Sequence, residues 1–532
     1  MNYIKVFLIL NCITGWMECD AYRILGVFPF AGKSHNIIFE SLMKGLAKHG
    51  HQVDVVTHFP LMEPIKNYND IINLNGTMEN LVNNYTVEFI NQISGEIVDL
   101  IALSYGNRIC DFMGLPEMQK LIKGPRKNSS YDVVITELFG ANCYIGLGRA
   151  FKVPVVALSS AIEYPWVAHL IGNDDNLAYV PNAYHIGVGR MNWWERLNNV
   201  YSHYKALHRF HSLTEESQTE SMRKYISPQM PSIREVEREI SLVLVNSHPI
   251  LFGVKPLIPG LVQIAGLHVE ESDEVLPQEL EKWLNESTDG VVYFTLGSMV
   301  LIETLPTDTL KQIYKSFEKL APMRVLVKIV NRSNLPPGLP KNVKALPWIP
   351  QQPVLAHKNM RIFITHGGLG GLIEALYYGV PMIGIPLFSD QFRNVEAFVA
   401  KRMMIPIKLT EINEKNLDNA FNCLINDITY KNQAIYYSKL FKDRPVSSMN
   451  NAIFWIEYVI RNGNVLRSPA LDFYWWQLAL LDIYGPMFVL SCIAIFGNFL
   501  IIYNLFFKNS NLDVKNGQYD EKSYSIIKTK KN

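Results

Sequence analysis

The sequence predicts an α/β protein: two parallel-sheet domains, each doubly wound, followed by one C-terminal transmembrane helix. Three observations predict this. At 532 residues the chain is too long for one hydrophobic core. Runs of branched apolar residues alternate with helix-period segments, the pattern of parallel strands joined by crossover helices. Residues 485–507 (GPMFVLSCIAIFGNFLIIYNLFF) are almost wholly apolar, about the length that crosses ~30 Å of hydrocarbon.

Residues 1–20 read as an export signal. Lys5 supplies positive charge, residues 6–13 an apolar core, and residues 15–19 a cleavage neighbourhood. Residues 22–28 (YRILGVF) form a buried strand and residues 29–34 a turn containing Gly32. Residues 36–49 form a helix with Ile37, Ile38, Leu42, Leu46 and Ala47 on one face, stopped by Gly50; residues 53–57 return as a strand. His35 therefore sits at a strand's C-terminal end, where such sheets bind ligands. A neutral imidazole there can act as a general base; the other reading is a helix cap or solvent-facing side chain. His49, His51 and His58 read as turn and surface residues. Residues 131–136 (YDVVIT) form another strand, which puts Glu137 at the same edge. Glu137 is either the carboxylate that orients His35 or a solvated acid at a helix start. Residues 153–158, 240–246 and 262–265 are further strands. Residues 191–226 form a long aromatic helix that packs on the core, covers the cleft or leans on a membrane. Residues 266–280 are a linker, exposed through the acidic stretch around Glu270 and Asp273.

Residues 281–465 form the second domain. Strand 290–296 ends in Gly297-Ser298-Met299, a turn that offers amides and a hydroxyl to an anion. Residues 305–320 are an amphipathic helix and 323–330 a strand. Residues 343–347 lead into Trp348-Ile349-Pro350-Gln351, where Trp348 can stack on a base or pack in the core. The stretch 363–391 (FITHGGLGGLIEALYYGVPMIGIPLFSDQ) reads as strand, glycine turn, helix, strand and loop. A glycine turn at a helix N-terminus suits a phosphate, because free N–H groups and the helix dipole both meet the anion. Helices follow at residues 394–401, 414–424 and 447–461.

A net charge of +1 provides no basic field for nucleic acid. Sequons at Asn75, Asn84, Asn128, Asn285 and Asn331 suit a lumenal chain. Of six cysteines, Cys110, Cys143 and Cys423 remain outside the signal and the span. That odd number at wide spacing argues against a disulfide framework, and no metal motif is present. Residues 466–484 are juxtamembrane. The tail, residues 508–532, is lysine-rich and fits the cytoplasmic side. Its Lys528 and Lys530 resemble a dilysine retrieval signal of endoplasmic reticulum membrane proteins.

The assembled residues resemble the UDP-glycosyltransferase family, in its animal, endoplasmic reticulum branch and with arthropod character. Residues 363–391 carry the signature; residues 294–299 (FTLGSM), 348–351 (WIPQ), 443–445 (DRP) and 471–472 (LD) support it. The resemblance implies a GT-B architecture of two Rossmann-like domains facing a cleft. The acceptor belongs to residues 21–265 and the UDP-sugar to residues 281–465. It implies that Trp348 stacks on uracil, Gln351 bonds to the nucleoside and Glu374 takes the ribose hydroxyls. His366 and the amides at Gly368, Leu369 and Gly370 hold the diphosphate, with Ser298 beside it. Asp390 and Gln391 bind the sugar. His35 matches the catalytic base, and Glu137 stands where the family usually has an aspartate; Asn142 is the alternative partner. Gly370 stands where many relatives have asparagine.

The resemblance thus implies an inverting transferase that moves a hexose from a UDP-sugar to a hydroxyl of a small lipophilic acceptor, as in detoxification or hormone and pigment conjugation. Glucose is the expected sugar, with glucuronate the alternative. No D-x-D motif is present, so no metal or other cofactor is expected. The protein is expected in the endoplasmic reticulum membrane, single-pass, with lumenal domains. The rival reading is a catalytically impaired binder of lipophiles. The loops in residues 73–124 carry no readable acceptor code, and a homo-oligomer is compatible with the chain.

Overall fold

The structure, a computed structural model, describes residues 21–508 except 94–96, 125–130, 174, 186, 188 and 271. The expected signal, the sequon at Asn128 and the tail from residue 509 lie outside the described residues. Residues 21–468 form one compact unit. It contains two sheets whose strands all pair in parallel. The first comprises β1 (Arg23–Phe28), β2 (Gln52–Thr57), β3 (Tyr68–Asn73), β4 (Val133–Glu137), β5 (Val155–Ser159), β6 (Ile240–Val245) and β7 (Leu261–Gln263), in the order β3-β2-β1-β4-β5-β6-β7. The second comprises β8 (Val291–Phe294), β9 (Arg324–Lys328), β10 (Val343–Leu346), β11 (Met360–Thr365), β12 (Met382–Gly384) and β13 (Met404–Pro406), in the order β10-β9-β8-β11-β12-β13.

Both orders reverse direction beside the first strand, so β1 lies between β2 and β4, and β8 between β9 and β11. Such switch points open a crevice at the carboxyl ends of the strands. Strands β4, β5 and β6 are buried at every position, which explains their unbroken apolar composition: helices cover both faces. The first crossover, α1 (Lys33–Lys48), buries Ile38, Phe39, Leu42, Met43 and Leu46 against the first sheet.

The helix α2 (Trp193–Tyr225) starts at a reciprocal cap, Asn192 with Glu195. Its two halves differ: Trp193, Trp194, Tyr201 and Tyr204 are exposed, while Phe210 is buried and stacks on Trp166. In the second half, α3 (Leu369–Tyr378) and α4 (Gln391–Val399) follow β11 and β12. The helix α5 (Ser448–Asn462) crosses back: Met449, Ile453 and Ile456 pack with Ile24, Phe39 and Leu46 under the first sheet. Gly45 of α1 permits this approach, since a Cβ there would lie 2.2 Å from the Met449 sulfur.

Four expectations are corrected. His51 and His58 are buried, not surface residues. His51 takes the Tyr22 N–H on Nδ1 and lies 3.2 Å from Glu457; the His58 ring meets the Pro29 carbonyl at 2.9 Å. Burial pushes the proton affinity of both down. The segment after Gly266 is not wholly exposed: Leu267–Glu270 is a buried helical turn, tied to the DRP motif by Arg444 and Ser448, which both donate to the Ala265 carbonyl. Residues 73–124 are largely helical, with Val87–Ile93, a π-helical run Leu100–Asn107 and Pro116–Lys123. Finally, Cys110 and Cys143 form a disulfide across 33 residues. Parity of cysteines could not reveal it, because the pair meets only where the helical segment ending at Cys110 packs beside the chain after β4. Cys423 stays free.

The remaining unit begins at Pro469. Its helix α6 (Leu481–Tyr503) starts four residues before the expected span, with Pro486 tolerated near its N-terminus. Residues Leu481–Phe506 are long and apolar enough to cross a membrane. Ser491 and Asn498 bond back to the Met487 and Ala494 carbonyls, so neither interrupts the helix.

Closing a loop of this length removes about 3–4 kcal/mol of unfolded-state entropy. The double variant Cys110→Ala/Cys143→Ala should therefore lose ~2–4 kcal/mol of unfolding free energy in urea titration.

Candidate active site

The turn after β1 places His35 in the first turn of α1, and β4 ends on Glu137. Because β1 and β4 pair in parallel register, with Val27 beside Thr136, both side chains leave at the same edge. His35 Nδ1 lies 2.5 Å from Glu137 Oε1. The ring is wedged edge-on between Phe30 and Phe139, each 4.8 Å away. With Nδ1 committed to the carboxylate, Nε2 is the nitrogen left to face the cleft. Glu137 is 5% exposed; burial raises its carboxyl pKa, and the His35 contact opposes that rise. Asn142, the alternative partner, donates instead to Glu237 at 2.6 Å.

Across the same cleft stand the two glycine turns. Gly297, after β8, has φ +84°, and a Cβ there would come within 2.5 Å of the His366 ring. Only glycine lets that imidazole lie against the turn. Burial, helped by the charge of Lys328, lowers the His366 pKa to about 4, so the ring is a neutral donor at ordinary pH. The helix α3 begins at Gly368 without a side-chain cap, which leaves the amides of Leu369, Gly370 and Gly371 for an anion. A side chain at Gly370 would meet nothing within 4 Å. The space for an asparagine there is open.

Trp348 is 44% exposed and lines the cleft, with the Lys328 ammonium 5.6 Å above its ring. Gln351 is committed within the protein: its Oε1 accepts from Tyr293 and its Nε2 donates to Glu374 at 2.6 Å. Asp390 starts α4. Asn394, one turn on, donates to Asp390 at 2.8 Å and to the Gly367 carbonyl at 3.2 Å. One buried amide thus joins Asp390 to the glycine turn after β11. Burial raises the Asp390 pKa, against the Asn394 hydrogen bond. Gln391 Oε1 accepts from the Leu387 and Phe388 amides. Ser298 lends its carbonyl to the Asn83 N–H.

All twelve residues singled out from sequence lie at or line this cleft of about 240 Å³, except Glu137, which stands behind His35. Three residues were missed. Lys328, at the end of β9, is buried and donates to the Gly297 carbonyl at 2.6 Å. It is the only lysine or arginine among the described residues lining the cleft, and burial lowers its pKa to about 8. A lone lysine closing an apolar strand was the available signal. Asn394 could have been found from its i+4 spacing to Asp390. Tyr164 left no sequence signal: its hydroxyl meets Ser389 Oγ at 3.2 Å across the cleft, where Ser389 holds φ +60°.

The first half supplies the other wall, with Phe30, Tyr85, Ile101, Tyr105 and Phe139 facing the cavity. Residues 81–87 strap the halves together. Leu81 N–H bonds the Ala31 carbonyl beside the His35 turn, while Asn83 and Tyr85 bond the Ser298 and Met299 carbonyls.

Comparison with known proteins shows the family and the fold. The family model for UDP-glucoronosyl and UDP-glucosyl transferase matches residues 27–516. The chain is 33% identical over 480 residues to UDP-glucosyltransferase 2 of Dactylopius coccus, covering 88% of this chain and 90% of that protein. It is 34% identical over 471 residues to UDP-glycosyltransferase UGT5 of the same species, covering 87% of this chain and 88% of that protein. It is 29% identical over 502 residues to human UDP-glucuronosyltransferase 1A9, covering 90% of each. The glycosyltransferase VinC, solved in complex with dTDP, superposes with a TM-score of 0.54 at 16% identity, covering 83% of this chain and all of that one. The forosaminyltransferase SpnP gives 0.51 at 16% identity, covering 83% and 99%. The chain belongs to the UDP-glucuronosyl and UDP-glucosyl transferase family and is a UDP-glycosyltransferase of GT-B architecture.

Proposed function

We propose that this enzyme transfers glucose from UDP-glucose, with inversion, to a hydroxyl of a small lipophilic acceptor. The observation that carries the reading is the His35–Glu137 pair facing the uncapped α3 turn across one cleft. The acceptor hydroxyl gives its proton to His35 Nε2 as its oxygen attacks the anomeric carbon from the side opposite UDP. Glu137 balances the imidazolium that forms. Charge on the departing UDP meets the α3 amides, the His366 N–H and the Lys328 ammonium, which act without a metal ion. Trp348 holds uracil, Glu374 the ribose, and Asp390 with Gln391 the sugar hydroxyls.

Two observations favour glucose over glucuronate. Lys328, the one lysine lining the cleft among the described residues, stands at the Trp348 and Gly297 end, and the proposed sugar side presents the Asp390 carboxylate, which would repel a uronate. The acceptor wall of aromatic and aliphatic side chains suits an apolar, uncharged molecule. We further propose a single-pass protein of the endoplasmic reticulum with lumenal domains, supported by the apolar helix α6 and by a disulfide that suits an oxidising compartment.

With UDP-glucose and a simple phenol, UDP release should exceed that with UDP-glucuronate. His35→Ala should lose ~10²–10⁴ of kcat while binding UDP as the parent does in calorimetry; retained turnover would remove the assignment of His35. Lys328 is protonated below its pKa of about 8, so the KM for UDP-glucose should rise as pH passes upward through that value. Lys328→Arg should abolish the rise, because the guanidinium stays charged. Gly370→Asn, entering open space, should lower the same KM by adding one polar contact to the diphosphate.

A further inference from the structure

The buried turn Leu267–Glu270 between the two sheets contributes a side chain to the donor end of the cleft. His268 is 2% exposed and lines the cavity beside Glu374, Gln351 and Tyr293. Neither of its ring nitrogens has a hydrogen-bond partner. Its Nε2 lies 3.4 Å from Glu374 Oε1, whereas Glu374 Oε2 already accepts from Gln351. The backbone beneath His268 is held on both sides. Its own carbonyl accepts from Gln352, Arg444 and Ser448 grip Ala265, and Glu270 accepts from the Ser448 amide. Carrying the ring out to solvent with its backbone would break these bonds.

A buried imidazole with no partner is unfavourable unless a ligand completes it. The chemistry of the neighbouring acid says which ligand. A carboxylate only accepts hydrogen bonds, so Glu374 can take the protons of a diol but cannot satisfy the oxygen lone pairs. An imidazole N–H beside it supplies the missing donor. A vicinal diol, each oxygen both donor and acceptor, fits this pair.

We propose that His268 is a ribose-recognising residue of the donor site: Glu374 Oε1 accepts from the ribose hydroxyls while the His268 ring donates to one of them. The segment joining the two domains then takes part in nucleotide binding rather than only connecting them. This rests on the donor-site reading above, and the test separates the two.

Calorimetry of the parent enzyme with UDP comes first; absence of binding would overturn the donor-site reading itself. His268→Ala and His268→Gln are then titrated with UDP, 2′-deoxy-UDP and 3′-deoxy-UDP. His268→Ala should bind UDP about tenfold more weakly, but should bind one of the deoxy analogues as the parent does. His268→Gln, which keeps an N–H donor, should recover part of the loss. In turnover, the effect should fall on KM for UDP-glucose and leave kcat and the acceptor KM near parental values. Unchanged UDP binding, or an equal loss on all three nucleotides, would overturn the proposal and leave His268 a packing residue.

Discussion

Strands β1 and β4 run side by side in parallel, and so do β8 and β11. A parallel strand cannot return by a hairpin; each must be followed by a crossover that starts at the same edge. Within each sheet the turns therefore leave at one edge, and the two edges line one cleft. His35 and Glu137 touch because their strands are neighbours, although a hundred residues of chain separate them. The Gly297 and Gly368 turns close on the His366 ring for the same reason.

The cleft concentrates groups that burial forces toward their neutral forms. Burial raises Glu137 and Asp390 and lowers His366 and Lys328. Specific neighbours oppose two of these shifts, His35 for Glu137 and Asn394 for Asp390, while Lys328 donates to the Gly297 carbonyl. Such shifts cluster where reacting groups are held out of water. Lys328 bonds the Gly297 turn after β8, while Asp390 starts α4 after β12, so the cationic and acidic groups enter the cleft from different turns.

The two halves are held to one another by more than the cleft. The strap at residues 81–87 bonds the His35 turn on one side and the Ser298 turn on the other. Tyr164 reaches Ser389, and its ring is fixed by stacking on Trp166, which stacks in turn on Phe210. The helix α5 returns to the first sheet. The His35 turn and the Ser298 turn are thus held to one another through backbone bonds of the same strap.

Local composition determined a great deal by itself. The alternation of apolar runs with helix-period segments specified two parallel-sheet domains, since period and turn chemistry are properties of short windows. The same windows put His35, Glu137 and the glycine turns at strand ends, and residues 485–507 in an apolar helix. Polar edge strand β3 and the helical run after residue 87 escaped, because their exposed faces blur the period. What only the tertiary structure decided are the meetings between distant elements. Tyr164 and Ser389 lie 225 residues apart, Cys110 and Cys143 pair across packed segments, Asn142 turns to Glu237 rather than His35, and His268 comes from a supposed linker to face Glu374. Such contacts depend on which faces are brought together by burial, and no short window of sequence records that.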